Sequence, residues 1–120
     1  MPRTVIVGGP KCGKTTRAVA MGGDIISTDG FASAGDFSAQ SEAAAKHLGG
    51  DGDWVLEGVT AVRALRKWLR THDGKPCDVV VNLTTAYQPL SPGQQALGKG
   101  CQTVLREITP ELRKRGVELL

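Results

Sequence analysis

Gly8-Gly9-Pro10-Lys11-Cys12-Gly13-Lys14-Thr15 fits the pattern G-x-x-x-x-G-K-[ST] of a phosphate-binding loop, the P-loop. The residues before it, Thr4–Val7, are mostly β-branched and predict a short buried strand. The residues after it, Thr16–Met21, predict the first turns of a helix. Since the motif requires a strand, a glycine-rich turn and a helix in this order, its context supports it.

Each position of the loop has a physical reason. Gly8 and Gly13 lack a Cβ, so the backbone can approach a phosphate closely and direct its N–H groups at it. Lys14 is predicted to reach the β- and γ-phosphates, and the hydroxyl of Thr15 to bind Mg²⁺. Lys11 adds a positive charge without a fixed direction. The residues predicted to bind the nucleotide are Gly8, Gly9, Pro10, Lys11, Cys12, Gly13, Lys14, Thr15 and Thr16.

Size and composition predict one globular domain over residues 1–120. Charged residues make up 22% of the chain and hydrophobic residues 40%, which is ordinary for such a domain. The net charge of +3 is compatible with a polyanionic partner but does not identify one.

The cysteines and the lengths of the apolar runs indicate the cellular compartment in which the protein is expected. The odd number of cysteines, with no C-x-x-C pair among Cys12, Cys77 and Cys101, argues for a reducing cytoplasm and against a zinc site or a disulfide framework. No apolar run approaches the length of about 18 residues that a membrane span requires. Met1-Pro2-Arg3 leads directly into the first strand, so we expect no signal peptide and a cytoplasmic protein.

Strand and helix patterns alternate along the chain. Strand patterns occur at residues 4–7, 24–28, 53–57, 78–83 and 117–120. The first helical pattern begins at residue 16, and the second begins after Asp36 or Ser38 as its N-cap. Three more cover residues 61–71 after Thr60, residues 93–108, and residues 111–115 after Thr109-Pro110. This alternation predicts an α/β fold with a five-stranded parallel sheet and helices on both faces. Ligands of such sheets bind outside the carboxyl ends of the strands.

Two carboxylates follow predicted strands. Asp29 comes after the second strand, which is expected next to the P-loop strand. It is predicted to orient or deprotonate an acceptor hydroxyl, with a helix cap or turn residue as the alternative. Glu57 closes the third strand and is predicted to support Mg²⁺ through water or to bind the acceptor, like a degenerate Walker B element. The alternative for Glu57 is a surface residue in a turn. Asp78 lies at the wrong end of its strand for catalysis, and Asn82 cannot act as a base.

Basic residues supply the remaining candidates. Arg63 and Arg66 are three residues apart on one helix face and are predicted to clamp an acceptor phosphate, with a solvated basic face as the alternative. Lys99 and Arg106 lie on a helix that Gly98 and Gly100 weaken. This helix is predicted to form a small hinged lid from which one of the two cations reaches the γ-phosphate.

Several stretches together carry a resemblance to a known family. They are Gly8–Thr15, Ser27–Asp29, Trp54–Gly58, Arg63–Leu69, Pro92–Gln95 and Gly98–Gly100. With them the chain resembles small P-loop kinases of the nucleotide- and polynucleotide-kinase type, and small phage-type proteins usually labelled AAA-family ATPases. The resemblance implies a three-layer P-loop NTPase fold, an ATP–Mg²⁺ donor, a hydroxyl acceptor and, for a phage-encoded protein, the cytoplasm of the host cell.

Some phage P-loop kinases of this sort phosphorylate 5-hydroxymethyluridine within DNA. The chain departs from adenylate-type kinases because it lacks their larger lid and the arginine pair in it, which favours a bulky acceptor. The resemblance thus implies a DNA-modifying kinase, and the basic helix face would suit DNA phosphates. A kinase for free nucleosides or nucleotides, and a non-catalytic nucleotide-binding module or regulatory NTPase, are the alternatives.

Overall fold

A five-stranded, all-parallel sheet forms the centre of the protein. The computed structural model describes residues 3–8, 24–27, 36–83 and 89–120. The strands are β1 (Thr4–Gly8), β2 (Asp24–Ser27), β3 (Trp54–Glu57), β4 (Val79–Leu83) and β5 (Glu118–Leu119). Their order is β2-β3-β1-β4-β5, and every neighbouring pair is parallel. The prediction of an α/β fold with a five-stranded parallel sheet is confirmed.

Three described helices cover one face of this sheet. They are α1 (Phe37–Ala45), α2 (Ala61–Thr71) and α3 (Pro92–Lys114). Their buried side chains form one core cluster with Val5 and Val7 of β1. Ile6, Val55 and Val81 point to the other face, as the alternation along a strand requires, and form a second cluster with strand residues alone among those described. The helix predicted from residue 16, and with it the prediction of helices on both faces, falls within residues 9–23, outside the described residues.

The ends of α1 follow the sequence signals. The carboxylate of Asp36 accepts a hydrogen bond from the amide of Ala39 (2.9 Å), so Asp36 rather than Ser38 is the N-cap. After the helix, Gly49 has a φ of 75° and its amide donates to the carbonyl of Pro76 (2.8 Å). Gly49 also lies against Trp68, because a Cβ built on it would come within 2.8 Å of the indole.

Gly49→Ala is therefore expected to lower the free energy of unfolding by about 2–4 kcal/mol, through a left-handed backbone and overpacking against Trp68. The matched control is Gly74→Ala. Gly74 has a φ of 86° but no atom within 4 Å of the added Cβ, so the control carries only the backbone cost of about 1 kcal/mol. Urea denaturation measures both variants. Equal losses would show that the Trp68 contact contributes nothing.

Helix α2 has the bounds that its pattern predicts. Its buried residues form the predicted apolar stripe against the sheet and are Ala61, Val62, Ala64, Leu65, Trp68 and Leu69. Thr60 occupies the N-cap position as predicted, but its side chain makes no capping hydrogen bond. With φ −95° and ψ 0°, its backbone differs from the extended conformation typical of a capping residue, which explains the missing bond.

Helix α3 differs from the prediction of two helices separated at Thr109-Pro110. It is continuous over 23 residues, with Pro110 inside it. Pro110 has no N–H to donate to the carbonyl of Arg106, four residues earlier. The neighbouring hydroxyl of Thr109 donates to the carbonyl of Leu105 (2.7 Å). The stripe Cys101, Val104, Leu105, Ile108 and Leu112 is buried along both sides of the proline. Packing against the sheet thus outweighs the local helix-breaking signal, and the prediction of a broken helix was wrong.

Arg3 and Asp78 join the amino ends of β1 and β4. The backbone amide of Arg3 donates to Asp78 Oδ2 (2.8 Å), and its guanidinium donates to both carboxylate oxygens (3.2 and 3.3 Å). These hydrogen bonds lower the pKa of the Asp78 carboxyl. Asp78 therefore serves the structure at the edge opposite to the predicted site, in keeping with its exclusion from catalysis.

Asp78→Asn is expected to lower the free energy of unfolding at pH 7 by about 1 kcal/mol. Because folding lowers the pKa of Asp78, its contribution is present above the unfolded value and is lost as pH falls through the folded value. The difference between wild type and variant should thus shrink below about pH 4. Urea denaturation against pH measures it, with exposed Asp73→Asn as the control. A difference that stays constant to about pH 2 would contradict the assignment.

Candidate functional site

The carboxyl ends of the three central strands define the candidate site, here called the carboxyl rim (Gly8, Glu57 and Leu83). In the sheet, Gly8 of β1 lies beside Leu83 of β4, and Ile6 lies beside Glu57 of β3. The chain leaves β1 toward β2 on one side, whereas it leaves β4 toward β5 on the other. The strand order thus reverses between β1 and β4, and such a switch point is where open parallel sheets bind ligands.

Glu57 is a buried carboxylate on the carboxyl rim. Its residue is 3% exposed, and it sits at the last position of β3. By the alternation along the strand, its side chain shares a face with Val55 and Ile6, opposite to α1, α2 and α3. The alternative interpretation of Glu57 as a surface residue in a turn is therefore wrong. Burial of a carboxylate favours positive charge close to it, so this position is suited to a cation.

Most of the predicted nucleotide site lies outside the described residues. Gly8 is described, and it is the buried last residue of the central strand β1. The predicted positions that are not described are Gly9, Pro10, Lys11, Cys12, Gly13, Lys14, Thr15, Thr16 and Asp29. The described strand β1 ends at Gly8, the first residue of the P-loop motif, and β2 ends at Ser27, shortly before Asp29.

Arg63 and Arg66 both face α3 from α2. The guanidinium of Arg66 lies 3.2 Å from the carboxylate of Glu107, which Arg70 also approaches at 3.7 Å. Arg63 is half-buried, and its Nη2 would lie 3.1 Å from a Cβ on Gly100. The two arginines therefore share one side of the helix, as predicted. In this structure Arg66 joins two helices, and Arg63 lies one turn nearer to the carboxyl rim.

Lys99 lies on the first third of α3, which extends from the carboxyl rim without reaching the core. No residue of α3 before Cys101 is buried, whereas the stripe from Cys101 onward is. Lys99 is exposed, and Gly98 and Gly100 on either side of it continue the helix. Gly100 makes room for Arg63, and the predicted hinge at these glycines stays a prediction.

A pair of amides at the end of β4 was missed by sequence reasoning. Asn82 Nδ2 donates to Gln102 Oε1 (3.0 Å), and Gln102 Nε2 donates back to Asn82 Oδ1 (2.7 Å). Asn82 is the neighbour of Val7 in the sheet, so the pair connects α3 to the carboxyl rim. No local pattern signals a contact between residues 20 positions apart, although the polar Asn82 in a β-branched strand marks the position.

The described cysteines are structural. Cys77 and Cys101 are buried thiols that are not part of a disulfide. Burial raises the pKa of the Cys77 thiol to about 12, so it stays protonated at neutral pH and is a poor nucleophile. The thiol of Cys101 donates to the carbonyl of Val59 (3.3 Å) and helps to fix α3 beside the turn that precedes α2.

Within residues 3–8, 24–27, 36–83 and 89–120, no group of three or more His, Cys, Asp or Glu side chains could hold a metal ion. None of the described helices combines the length and the apolar character that crossing a membrane demands. In comparisons with known proteins, the chain matches no protein-family model and no curated protein.

Proposed function

We propose that the protein is an ATP-dependent P-loop kinase that phosphorylates a hydroxyl group, with a hydroxymethylated pyrimidine such as 5-hydroxymethyluridine in phage DNA as the acceptor. The observation that carries the proposal is the buried carboxylate of Glu57 at the end of β3. β3 is the direct neighbour of β1 in the sheet, and β1 leads into the P-loop motif. A phosphate-binding loop and a cation-binding carboxylate at one rim are two requirements of phosphoryl transfer.

The sheet supports a three-layer P-loop NTPase fold. The strand before the motif is central, and its carboxyl end lies at the switch point of the strand order. The second cluster, around Ile6, is buried on the face opposite to the described helices. In the proposed fold, this face is covered by the connection from β1 to β2, since right-handed connections to either side of β1 lie on opposite faces.

The residues present fit Mg²⁺ as the metal. Carboxylate and hydroxyl oxygens are the ligands that this ion prefers, and it keeps water and phosphate oxygens as further ligands. Glu57, directly or through water, and the hydroxyl of Thr15 would hold it beside the phosphates. When bound, the ion neutralises charge on the phosphate oxygens.

The other residues divide the remaining tasks. Lys14 and the amides of the loop bind the phosphates, and Asp29 takes the proton of the acceptor hydroxyl. As the acceptor oxygen bonds to the γ-phosphorus, the bond from this phosphorus to ADP breaks. Arg63 lies near enough to the rim to bind an acceptor phosphate, whereas Arg66 would first have to leave Glu107. Lys99 extends from the rim on α3 and is the candidate for stabilising the transferred group.

The test is phosphoryl transfer from γ-labelled ATP with Mg²⁺ to DNA containing 5-hydroxymethyluridine. The matched control is the same DNA with thymidine, which lacks only the hydroxyl. The proposal expects label in the hydroxymethylated DNA and a product heavier by about 80 Da, the mass of one phosphate.

Other outcomes would support the alternatives. Label in free nucleosides or nucleotides and not in DNA would indicate a small-nucleotide kinase. Label in free phosphate alone would indicate a regulatory NTPase, and ATP binding without turnover would indicate a binding module. Each of these results would overturn the proposed acceptor, and the last two would overturn the kinase itself.

A further inference from the structure

The continuous helix α3 aligns three cations along its exposed side. Lys99, Arg106 and Arg113 are exposed and follow one another at intervals of seven residues. Seven residues make almost two turns, so these side chains drift by only about 20° per step around the helix. The rise of about 1.5 Å per residue separates successive members by about 10.5 Å. We call these three residues the α3 stripe.

The acidic residues of α3 do not neutralise the stripe. Glu107 pairs with Arg66 and Arg70 of α2, and Glu111 pairs with Arg115 (2.9 Å). Among the residues that the structure describes, the side chains of Lys99, Arg106 and Arg113 make neither an ion pair nor a hydrogen bond. The carboxylates of α3 are therefore paired with other cations, and the side chains of the α3 stripe are available to bind an external anion.

The exposed residues that lie closest to the stripe around the helix are uncharged. Gln95, Thr103 and Pro110 lie within about 40° of the stripe by the helical repeat, and all three are exposed. The helix contains no aromatic residue, and its apolar residues from Cys101 onward pack into the core. The stripe is thus a row of cations with small or uncharged polar neighbours, bordered by the exposed Lys114 on one helix turn and by Glu107, which pairs with α2.

We propose that the α3 stripe binds the phosphate backbone of a DNA duplex. Charge complementarity carries the inference, because duplex DNA presents one negative charge per about 1.7 Å of its axis and a rigid row of cations can meet several phosphates at once. Contacts of this kind position a protein on DNA without reading its sequence.

Two other polyanions fit the stripe less well. Proteins that bind single strands stack bases on aromatic side chains, and α3 has none. A helix that lies on an anionic membrane inserts an apolar face, whereas the apolar face of α3 is occupied by the sheet and α2. The surface therefore favours a duplex over both.

The inference rests on the proposed function in one respect: a kinase acting on a base in DNA would use the stripe to hold its polymeric acceptor. Lys99 lies on the part of α3 that extends from the carboxyl rim, and Arg113 lies near the other end of the helix. A duplex along the stripe would thus run past the rim. Binding itself requires neither ATP nor a modified base, so it can be tested separately.

The experiment measures fluorescence anisotropy of a short labelled DNA duplex with the full chain, without ATP, between about 50 and 200 mM NaCl. Arg106→Gln should make the plot of log K against log salt shallower by about 0.9, and Arg106→Gln with Arg113→Gln by about 1.8. Arg106→Lys keeps the charge and should keep the slope. Lys46→Gln removes the same charge from an exposed position after α1 and should also keep it.

The inference is overturned if the wild type shows no salt-dependent duplex binding, or if Lys46→Gln changes the slope as much as Arg106→Gln. Tighter binding to single-stranded DNA or to phosphatidylserine vesicles, with the same dependence on Arg106, would replace the duplex as the partner. If kinase activity is absent but stripe-dependent duplex binding is present, the inference stands and the proposed function fails. If kinase activity is present but duplex binding does not depend on the stripe, the proposed function stands and the inference fails.

Discussion

Lys14→Ala is expected to remove most ATP binding and to lower phosphoryl transfer by at least about 10²-fold. In the proposed site, the ammonium group of Lys14 is the point charge nearest to the β- and γ-phosphates, and removal of one such preorganised contact in a catalytic site costs about that factor. Titration calorimetry with a non-hydrolysable ATP analogue and Mg²⁺ measures binding, and transfer of label from ATP measures turnover.

Lys11→Ala is the matched control for this experiment. Lys11 belongs to the same loop and carries the same charge, but the motif assigns it no fixed contact. Its replacement should weaken binding far less than that of Lys14. If Lys14→Ala retains normal binding, or if both variants lose it equally, the loop does not grip phosphates in the way that the motif predicts, and the kinase proposal loses its basis.

The second large effect is expected at the two carboxylates. Asp29→Asn should leave ATP binding near normal and lower turnover by roughly 10²–10⁴, the usual contribution of a general base. Glu57→Gln keeps the shape of a buried side chain while removing its charge. If Glu57 supports the metal, this variant should need more Mg²⁺ for half-maximal activity, and saturating Mg²⁺ should restore part of the turnover.

Titration of activity with Mg²⁺ for both variants distinguishes the two roles. The expected result is an unchanged Mg²⁺ requirement for Asp29→Asn and a raised one for Glu57→Gln. The opposite pattern would exchange the roles of the two residues. Unchanged turnover in Asp29→Asn would make Asp29 a structural cap, and thermal unfolding of Glu57→Gln shows whether its loss of activity reflects folding.

Local sequence patterns predict the sheet and α2 well because short-range rules govern them. The β-branched run of β4 and the apolar stripe of α2 are repeated signals, and the structure has both elements close to their predicted bounds. The same rules failed at Pro110. A proline normally ends a helix, but the apolar residues on both sides of it are held against one core, which a local rule does not see.

The candidate site could be predicted only in part. Its place at the carboxyl ends of the strands follows from the α/β alternation, and the described strands agree with it. The burial of Glu57 depends on the order of the strands, and here the prediction was wrong, because β3 and not the second strand lies beside β1. The α3 stripe required a continuous helix, because two helices separated at Thr109-Pro110 would have lost the register of Arg113 with Lys99 and Arg106.

The shape of the sheet borders has a consequence for handling the protein at high concentration. β5 pairs with β4 through only two residues, and β2, at the other border, begins with the exposed residue Asp24. Exposed strands become templates for unwanted self-assembly when they are long, flat and apolar. The short β5 and the charged first residue of β2 both disfavour pairing of edge strands between two molecules. We therefore expect this protein to resist edge-to-edge aggregation at high concentration.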